Sequence, residues 1–182
     1  MRPLEQLAEQ AAPLLRHPAI LSVRRNHGLE HATIHILNRR RYTLSGRSSG
    51  GGFVLLGDVP TEQVESAVQE ALGRLKAGER GLAVHPNCGT NLAATGLLAT
   101  SVAFIGFAGR GRRSAWERFP ATMVMMMAVL LFSTPLGMNL QRYFTTEGDI
   151  GDLELVSVTR EVKTLPLSGQ QLTLHRIVTA QG

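Results

Sequence analysis

Two long stretches of the chain contain no charged residue. One lies between Arg80 and Arg110 and the other between Arg118 and Arg142. Their apolar cores read NLAATGLLATSVAFIGFAG and FPATMVMMMAVLLFSTPLGMNL. Each core is close to the ~20 residues that an α-helix needs to cross the hydrocarbon layer of a membrane. We therefore predict two transmembrane helices within residues 91–141, joined by an arginine-rich loop at 110–118. Two buried helices of a soluble bundle are the alternative, but such uncharged length is uncommon in soluble cores.

Three further helices are predicted before the first apolar stretch. Residues 3–15 have the pattern of a short amphipathic helix, and residues 27–37 form a second helix with Asn26 as its N-cap. A third begins at Pro60 and Thr61, and Gly78 ends it. Its apolar positions recur on one helical face, at Val64, Val68, Ala71, Leu72 and Leu75.

Alternating patterns predict strands in the rest of the chain. The segment SGRSSGGG at 45–52 is typical of a flexible loop, and FVLLG after it indicates a short strand. Residues 142–182 predict a small β-hairpin, with LELVSVTREVKTL and QLTLHRIVTA as strands and PLSGQ as the turn. The predicted fold is an α+β membrane protein, in which a mainly helical domain at 1–90 precedes the transmembrane hairpin.

Composition narrows the partners that this chain can have. Its 182 residues carry a net charge of +5, and the arginines are not interleaved with aromatic residues as in nucleic-acid-binding modules. We therefore expect no nucleic acid, and contact with anionic lipid headgroups explains the arginines more economically. The N-terminal residues lack the pattern of a secretory signal. Cys88 is the single cysteine, which excludes an intramolecular disulfide.

The stretch NHGLEHATIH at 26–35 has the spacing of a metal-binding helix. Residues at i, i+3 and i+4 share a helical face, so His27, Glu30 and His31 project together. They form an H-x-x-E-H arrangement, as in the inverted zinc-peptidase motif, where both histidines bind zinc and the glutamate acts on the bound water. His35 lies one turn further along and is expected to pack or to support a ligand.

A second stretch, HPNCGTN at 85–91, offers the remaining ligands. His85 and Cys88 are both good zinc ligands, and imidazole with thiolate favours zinc over magnesium or calcium. We assign His27, His31 and Cys88 as ligands, with His85 as a fourth ligand or a transition-state donor. An inert buried thiol at Cys88 is the alternative. His17 and His175 are expected to be ordinary surface or strand residues.

The two motifs together carry a family resemblance. HGLEHATIHIL followed by HPNCGTNLAATGLLATSVAFI resembles the paired motif of the YqhQ-like predicted metal-dependent membrane enzymes, over less than a third of the chain. The resemblance implies one site, made of His27, Glu30, His31, His85 and Cys88. The chain departs from that pattern in its two candidate membrane helices, the TEQVESAVQEALGRL helix between the motifs and the β tail. It looks closer still to a family of small uncharacterised membrane proteins that contain HALEHATIHVL-like stretches.

Two functions follow from this site. One is a zinc-dependent membrane hydrolase of peptide, amide or ester bonds, in which Glu30 activates metal-bound water and a membrane protein or peptide is the substrate. The other is a non-enzymatic membrane protein whose metal site is structural or sensory, with Glu30 holding an imidazole. A third interpretation takes His31 and His35 as haem or quinone ligands.

The sequence gives conflicting signals about topology. Four arginines between the apolar stretches favour a cytoplasmic loop by the positive-inside rule. A cytoplasmic loop would place the first ninety residues outside the cell. These residues carry eleven basic residues and lack the pattern of a secretory signal, which argues against export. We expect an integral protein of the cytoplasmic membrane with the metal-site domain on the cytoplasmic side.

Overall fold

The computed structural model describes residues 3–108, 112–164, 169 and 171–181, without the side chains of 112–115. The chain forms two compact units, one made of residues 1–85 and 142–182 and the other of residues 86–141. Helices and one four-stranded antiparallel sheet make up the described part, so the predicted α+β class is confirmed.

The helices of the first unit precede and follow a short hairpin. They are α1 (Pro3–Gln10), α2 (Ala12–Leu15), α3 (Pro18–Arg39), α4 (Thr61–Lys76) and a 3₁₀-helix (Arg80–Ala83). The strands are β1 (Ser45–Ser49), β2 (Gly52–Leu56), β3 (Glu154–Thr164) and β4 (Gln171–Ala180). The predicted turn at 166–170 lies outside the described residues, apart from Gly169.

The sheet joins strands from both ends of the chain. Its order is β1-β2-β4-β3, and every neighbouring pair is antiparallel. In its central register Leu55 of β2 lies opposite His175 of β4, which in turn lies opposite Arg160 of β3. The C-terminal hairpin therefore extends the N-terminal one, and a hairpin that is marginal by itself gains a partner.

The core lies between this sheet and helices α3 and α4. Leu29 and Leu37 of α3 and Phe53, Leu55 and Ile177 of the sheet are at most 2% exposed. Burying a side chain of this size stabilises the fold by about 1.5–3 kcal/mol. The apolar face predicted for α4 is buried here as well, at Val64, Val68, Ala71, Leu72 and Leu75.

Two local predictions are wrong. Helix α3 begins at Pro18, not after Asn26, because proline is well suited to the first helical turn and the residues that follow continue the helix. Asn26 is fully buried and donates to the carbonyls of Ser49 (3.1 Å) and Gly50 (3.0 Å). The expected loop at 45–52 contains strand β1, because pairing with β2 overrides its serine and glycine composition.

The second unit is a pair of apolar helices, α5 (Gly89–Phe107) and α6 (Arg112–Leu140), and a π-helical turn continues α6 from Gln141 to Thr145. Both helices are long and apolar enough to cross a membrane. Only 6% of the apolar window of α5 and 17% of that of α6 is buried, whereas the core helix of a soluble protein is mostly buried. Of the predicted arginine-rich loop, 110 and 111 lie outside the described residues and 112–118 belong to α6.

Small and polar residues bring the two helices together. A side chain at Gly106 would overlap Thr122, and one at Gly137 would overlap Asn91. Gln141 donates a hydrogen bond to Asn91 over 2.8 Å. Close backbone approach and interhelical hydrogen bonds are the usual means by which helices pack in membranes.

Candidate metal centre

His27 and His31 lie one turn apart on the same face of α3. Their ring centroids are 4.3 Å apart and the ring planes meet at 63°. His31 is 3% exposed, whereas His27 is half-buried. The spacing predicted from the sequence therefore brings the two imidazoles together.

Both imidazoles are oriented by backbone carbonyl groups. Nδ1 of His27 lies 2.9 Å from the carbonyl oxygen of Thr145, and Nδ1 of His31 lies 2.9 Å from that of Ala83. A carbonyl oxygen only accepts hydrogen bonds, so each Nδ1 must carry the proton. In the neutral ring, Nε2 then carries the lone pair. Histidines that bind metals usually donate their other ring N–H to such a group.

Arg24 holds the segment that supplies the Thr145 carbonyl. Its guanidinium donates to the carbonyl of Thr146 (3.0 Å) and pairs with Glu147 (3.3 Å). Burial lowers the pKa of Arg24, and the charge of Glu147 partly offsets that effect. Gly28 lies against the backbone of the same segment, where a side chain would overlap the carbonyl oxygen of Glu147. These contacts were not predictable from the sequence, because 145–147 is distant along the chain and no local pattern points to it.

His85 lies beside His31 at the end of the first unit. The centroids of the two rings are 6.0 Å apart. The side-chain amide of Asn38 lies 3.5 Å from Nε2 of His85, which is a long hydrogen bond. His85 is 8% exposed, and the sequence offered no sign of its contact with Asn38.

Cys88 follows His85 by three residues, so the two Cα atoms are separated by at most about 11 Å. Cys88 is the N-cap of α5, and its sulfur accepts from the backbone N–H of Thr90 over 3.4 Å. The thiolate is the form of cysteine that binds metals.

His27, His31 and Cys88 form a group that could hold a metal ion. Among the residues that the structure describes, Glu30 and His85 are not members of this group. Three protein ligands of this kind are the number found in catalytic zinc sites, where the fourth position stays open.

Glu30 is buried between α3 and strand β1. Glu30 is 3% exposed, and its carboxylate accepts a hydrogen bond from the hydroxyl of Ser48. A side chain at Gly46 would overlap the same carboxylate. The serine and glycine residues of β1 therefore provide the space and the donor that a buried carboxylate requires. The role of Glu30 as a general base stays a prediction.

The other histidines lie elsewhere. His17 and His35 are exposed. His175 is a buried strand residue, 1% exposed, with Nε2 3.3 Å from the hydroxyl of Thr61. Burial lowers its pKa, and the nearby positive charge of Arg160 lowers it further, against an opposing effect of Asp58.

Comparison with known proteins adds a family but no activity. The chain is 41% identical over 95 residues to an uncharacterized protein of Picosynechococcus sp., and the match covers 46% of each chain, so the chain spans about half the length of this relative. No solved structure matches. Neither match bears on the resemblance to YqhQ-like enzymes, which remains an expectation. Residues 22–158 match the family model described as a domain of unknown function, DUF6391; since this region is most of the chain and contains both motifs, the chain belongs to that family.

Proposed function

We propose that this chain is a zinc-dependent hydrolase of the cytoplasmic membrane, with His27, His31 and Cys88 as the metal ligands. The observation that carries the proposal is the pair of hydrogen bonds from Nδ1 of each histidine to a backbone carbonyl. Both bonds select the tautomer in which Nε2 can bind a metal. Histidines that merely fill a polar face do not need the same nitrogen to be fixed in both rings.

The donor set favours zinc and an open site. Two imidazoles and one thiolate suit zinc better than magnesium or calcium, which prefer oxygen ligands. When bound in such a site, zinc acts as a Lewis acid that polarises a carbonyl group and activates water. His85 lies next to His31 without belonging to the ligand group, and we assign it as a donor to the charge that develops on the substrate oxygen.

Glu30 is the proposed general base. It shares a helical face with His27, three residues away, and its carboxylate is buried beside β1. In this role it accepts the proton of the attacking water and passes it to the leaving group. The bond that is cleaved is a peptide, amide or ester bond, in a membrane protein or a peptide.

The two apolar helices are proposed to insert into the bilayer, with the metal-site domain on the cytoplasmic side. Their exposed apolar surface supports insertion, because lipid would cover it. Helix α5 begins at Gly89, directly after the ligand Cys88, so the chain enters the membrane next to the proposed site. A substrate bond close to the bilayer surface is the one that such a site would reach.

A structural or sensory metal site is the second candidate. The contact between Ser48 and Glu30 favours it, since a carboxylate already engaged by a hydroxyl can serve to attach α3 to the sheet. The two candidates predict different effects on turnover when the charge of Glu30 is removed.

The first test measures the metal content of detergent-purified protein by elemental analysis. We expect about one zinc per chain in the wild type, and its loss in the double variant His27→Ala/His31→Ala. The matched control is His35→Ala, which removes an exposed imidazole from the same helix and should keep the metal. Wild-type protein without bound zinc after purification in zinc-containing buffer would refute the site.

The second test separates the two candidates with Glu30→Gln. A hydrolase keeps its zinc in this variant but loses at least about 100-fold in turnover of fluorogenic peptides or nitrophenyl esters, which is the usual effect of removing a general base. Wild-type protein that binds zinc but cleaves none of these probes, with Glu30→Gln equally loaded, would favour the structural site.

A further inference from the structure

A cavity lies on the first unit, apart from the ligands of the proposed metal site. Its volume is about 280 Å³, and the residues that matter for its chemistry are Arg80, Arg142, Tyr143, Thr146, Glu147 and Gly148. We call it the Arg142 pocket. None of these side chains belongs to the proposed metal site, although the backbone at Ala83, which also lines the pocket, holds His31.

The charges around the Arg142 pocket are unequal. Glu147 pairs with Arg24 at 3.3 Å, and Arg80 pairs with Asp149 at 2.9 Å. Each of these acids is therefore matched by one arginine. The side chain of Arg142, by contrast, makes no ion pair or hydrogen bond with any residue that the structure describes. One positive charge is left at the rim of a cavity, which is the condition for binding an anion.

Arg142 also marks the end of the second apolar helix. The charge-free stretch that begins after Arg118 ends at this residue, and the candidate membrane span reaches Thr145. A helix that crosses the bilayer places arginine and tyrosine at its end among the lipid headgroups. Arg142 and Tyr143 follow one another at this point. At the membrane surface, the phosphates of lipid headgroups are the most abundant anions that can reach the pocket.

We propose that the Arg142 pocket binds the phosphate of an anionic phospholipid headgroup. Guanidinium groups bind phosphate oxygens through two parallel hydrogen bonds, and basic pockets at helix ends recognise headgroups in this way. The volume accommodates a phosphate with a small polar substituent. The inference rests on the membrane insertion proposed above but not on the metal chemistry, so the two can fail separately.

The test measures lipid binding by native mass spectrometry of the full chain in detergent. The probes are short-chain phosphatidylglycerol, short-chain phosphatidylcholine and inorganic phosphate. Arg142→Gln removes the charge, and Arg142→Lys keeps it. Arg160→Gln is the control, since Arg160 is an exposed arginine of β3 that does not line the pocket.

We expect phosphatidylglycerol to bind at least fivefold more tightly than phosphatidylcholine. Arg142→Gln should weaken that binding at least fivefold, while Arg142→Lys and Arg160→Gln change it less. Equal binding of phosphatidylglycerol by wild type and Arg142→Gln would overturn the proposal. So would inorganic phosphate that binds through Arg142 as tightly as the lipid does, because free phosphate would then be the ligand. Zinc content, measured on the same samples, reports on the metal site independently.

Discussion

At the scale of single residues, the site depends on contacts that join distant parts of the chain. The helical spacing of His27 and His31 and the chemistry of Cys88 predicted, from the sequence, a group of side chains that could hold a metal ion. The carbonyls that orient the two rings were not predictable, because they lie 118 residues from His27 and 52 residues from His31. A local pattern shows which side chains share a face, but it does not show what that face meets.

The buried His175 predicts how stability depends on pH. Its pKa in the folded chain is lowered by burial, so the unfolded chain binds the proton more readily. The contribution of this residue is therefore fully present above the unfolded pKa, near 6.5, and is lost as the pH falls below it. We expect the thermal unfolding temperature to fall by a few degrees between pH 7.5 and pH 5.5.

The control for this prediction is His175→Gln, which keeps a polar side chain opposite Thr61 but cannot titrate in this range. Its unfolding temperature should be lower at pH 7.5 and should change less with pH. Equal pH dependence in wild type and variant, followed by differential scanning fluorimetry in detergent, would show that another group causes the effect.

At the scale of elements, the sequence predicted α4 almost to its ends but predicted only the C-terminal part of α3. The residues of α3 before His27 were not predicted to be helical, because Arg24 and Asn26 break the apolar pattern. Both are nevertheless buried, since they bond to the backbone of other segments. Strand β1 was missed for a related reason: its small residues accommodate Glu30, and no strand propensity reports that need.

Two helical glycines give opposite predictions for the same substitution. Gly73 in α4 has open space where a side chain would begin, so Gly73→Ala should stabilise the fold by about 0.5–1 kcal/mol through helix propensity. Gly28 in α3 lies against the carbonyl of Glu147, so Gly28→Ala should destabilise it by about 1–3 kcal/mol despite the same gain.

Thermal unfolding of the two variants beside wild type tests this pair. Gly28→Ala should also lower zinc content, because displacement of the 145–147 segment moves the carbonyl that holds His27. A Gly28→Ala variant as stable as Gly73→Ala would show that the close approach of α3 to this segment is not required.

At the scale of the whole molecule, the long-range order of the strands lay beyond the sequence. The hairpin of β3 and β4 was predictable from alternation, but its pairing with β2 was not, because the partner lies more than a hundred residues away. The two apolar helices were predictable because length and lack of charge are local properties.

Insertion of those helices is the prediction that concerns the whole chain. Wild-type protein should stay with the membrane pellet after carbonate extraction. Leu130→Arg, near the middle of α6 and 55% exposed, should release part of the protein, since an arginine at the centre of a membrane helix costs about 2.5–3.5 kcal/mol on insertion.

The matched variant Leu14→Arg alters an equally apolar and 62% exposed residue of α2, outside the candidate spans, and should leave the pelleted fraction unchanged. Both variants replace one exposed leucine by arginine, so they change the charge equally. A difference between their pelleted fractions therefore reports on contact of Leu130 with lipid. Wild-type protein that carbonate releases in folded form would assign the apolar surface of α5 and α6 to a protein partner instead.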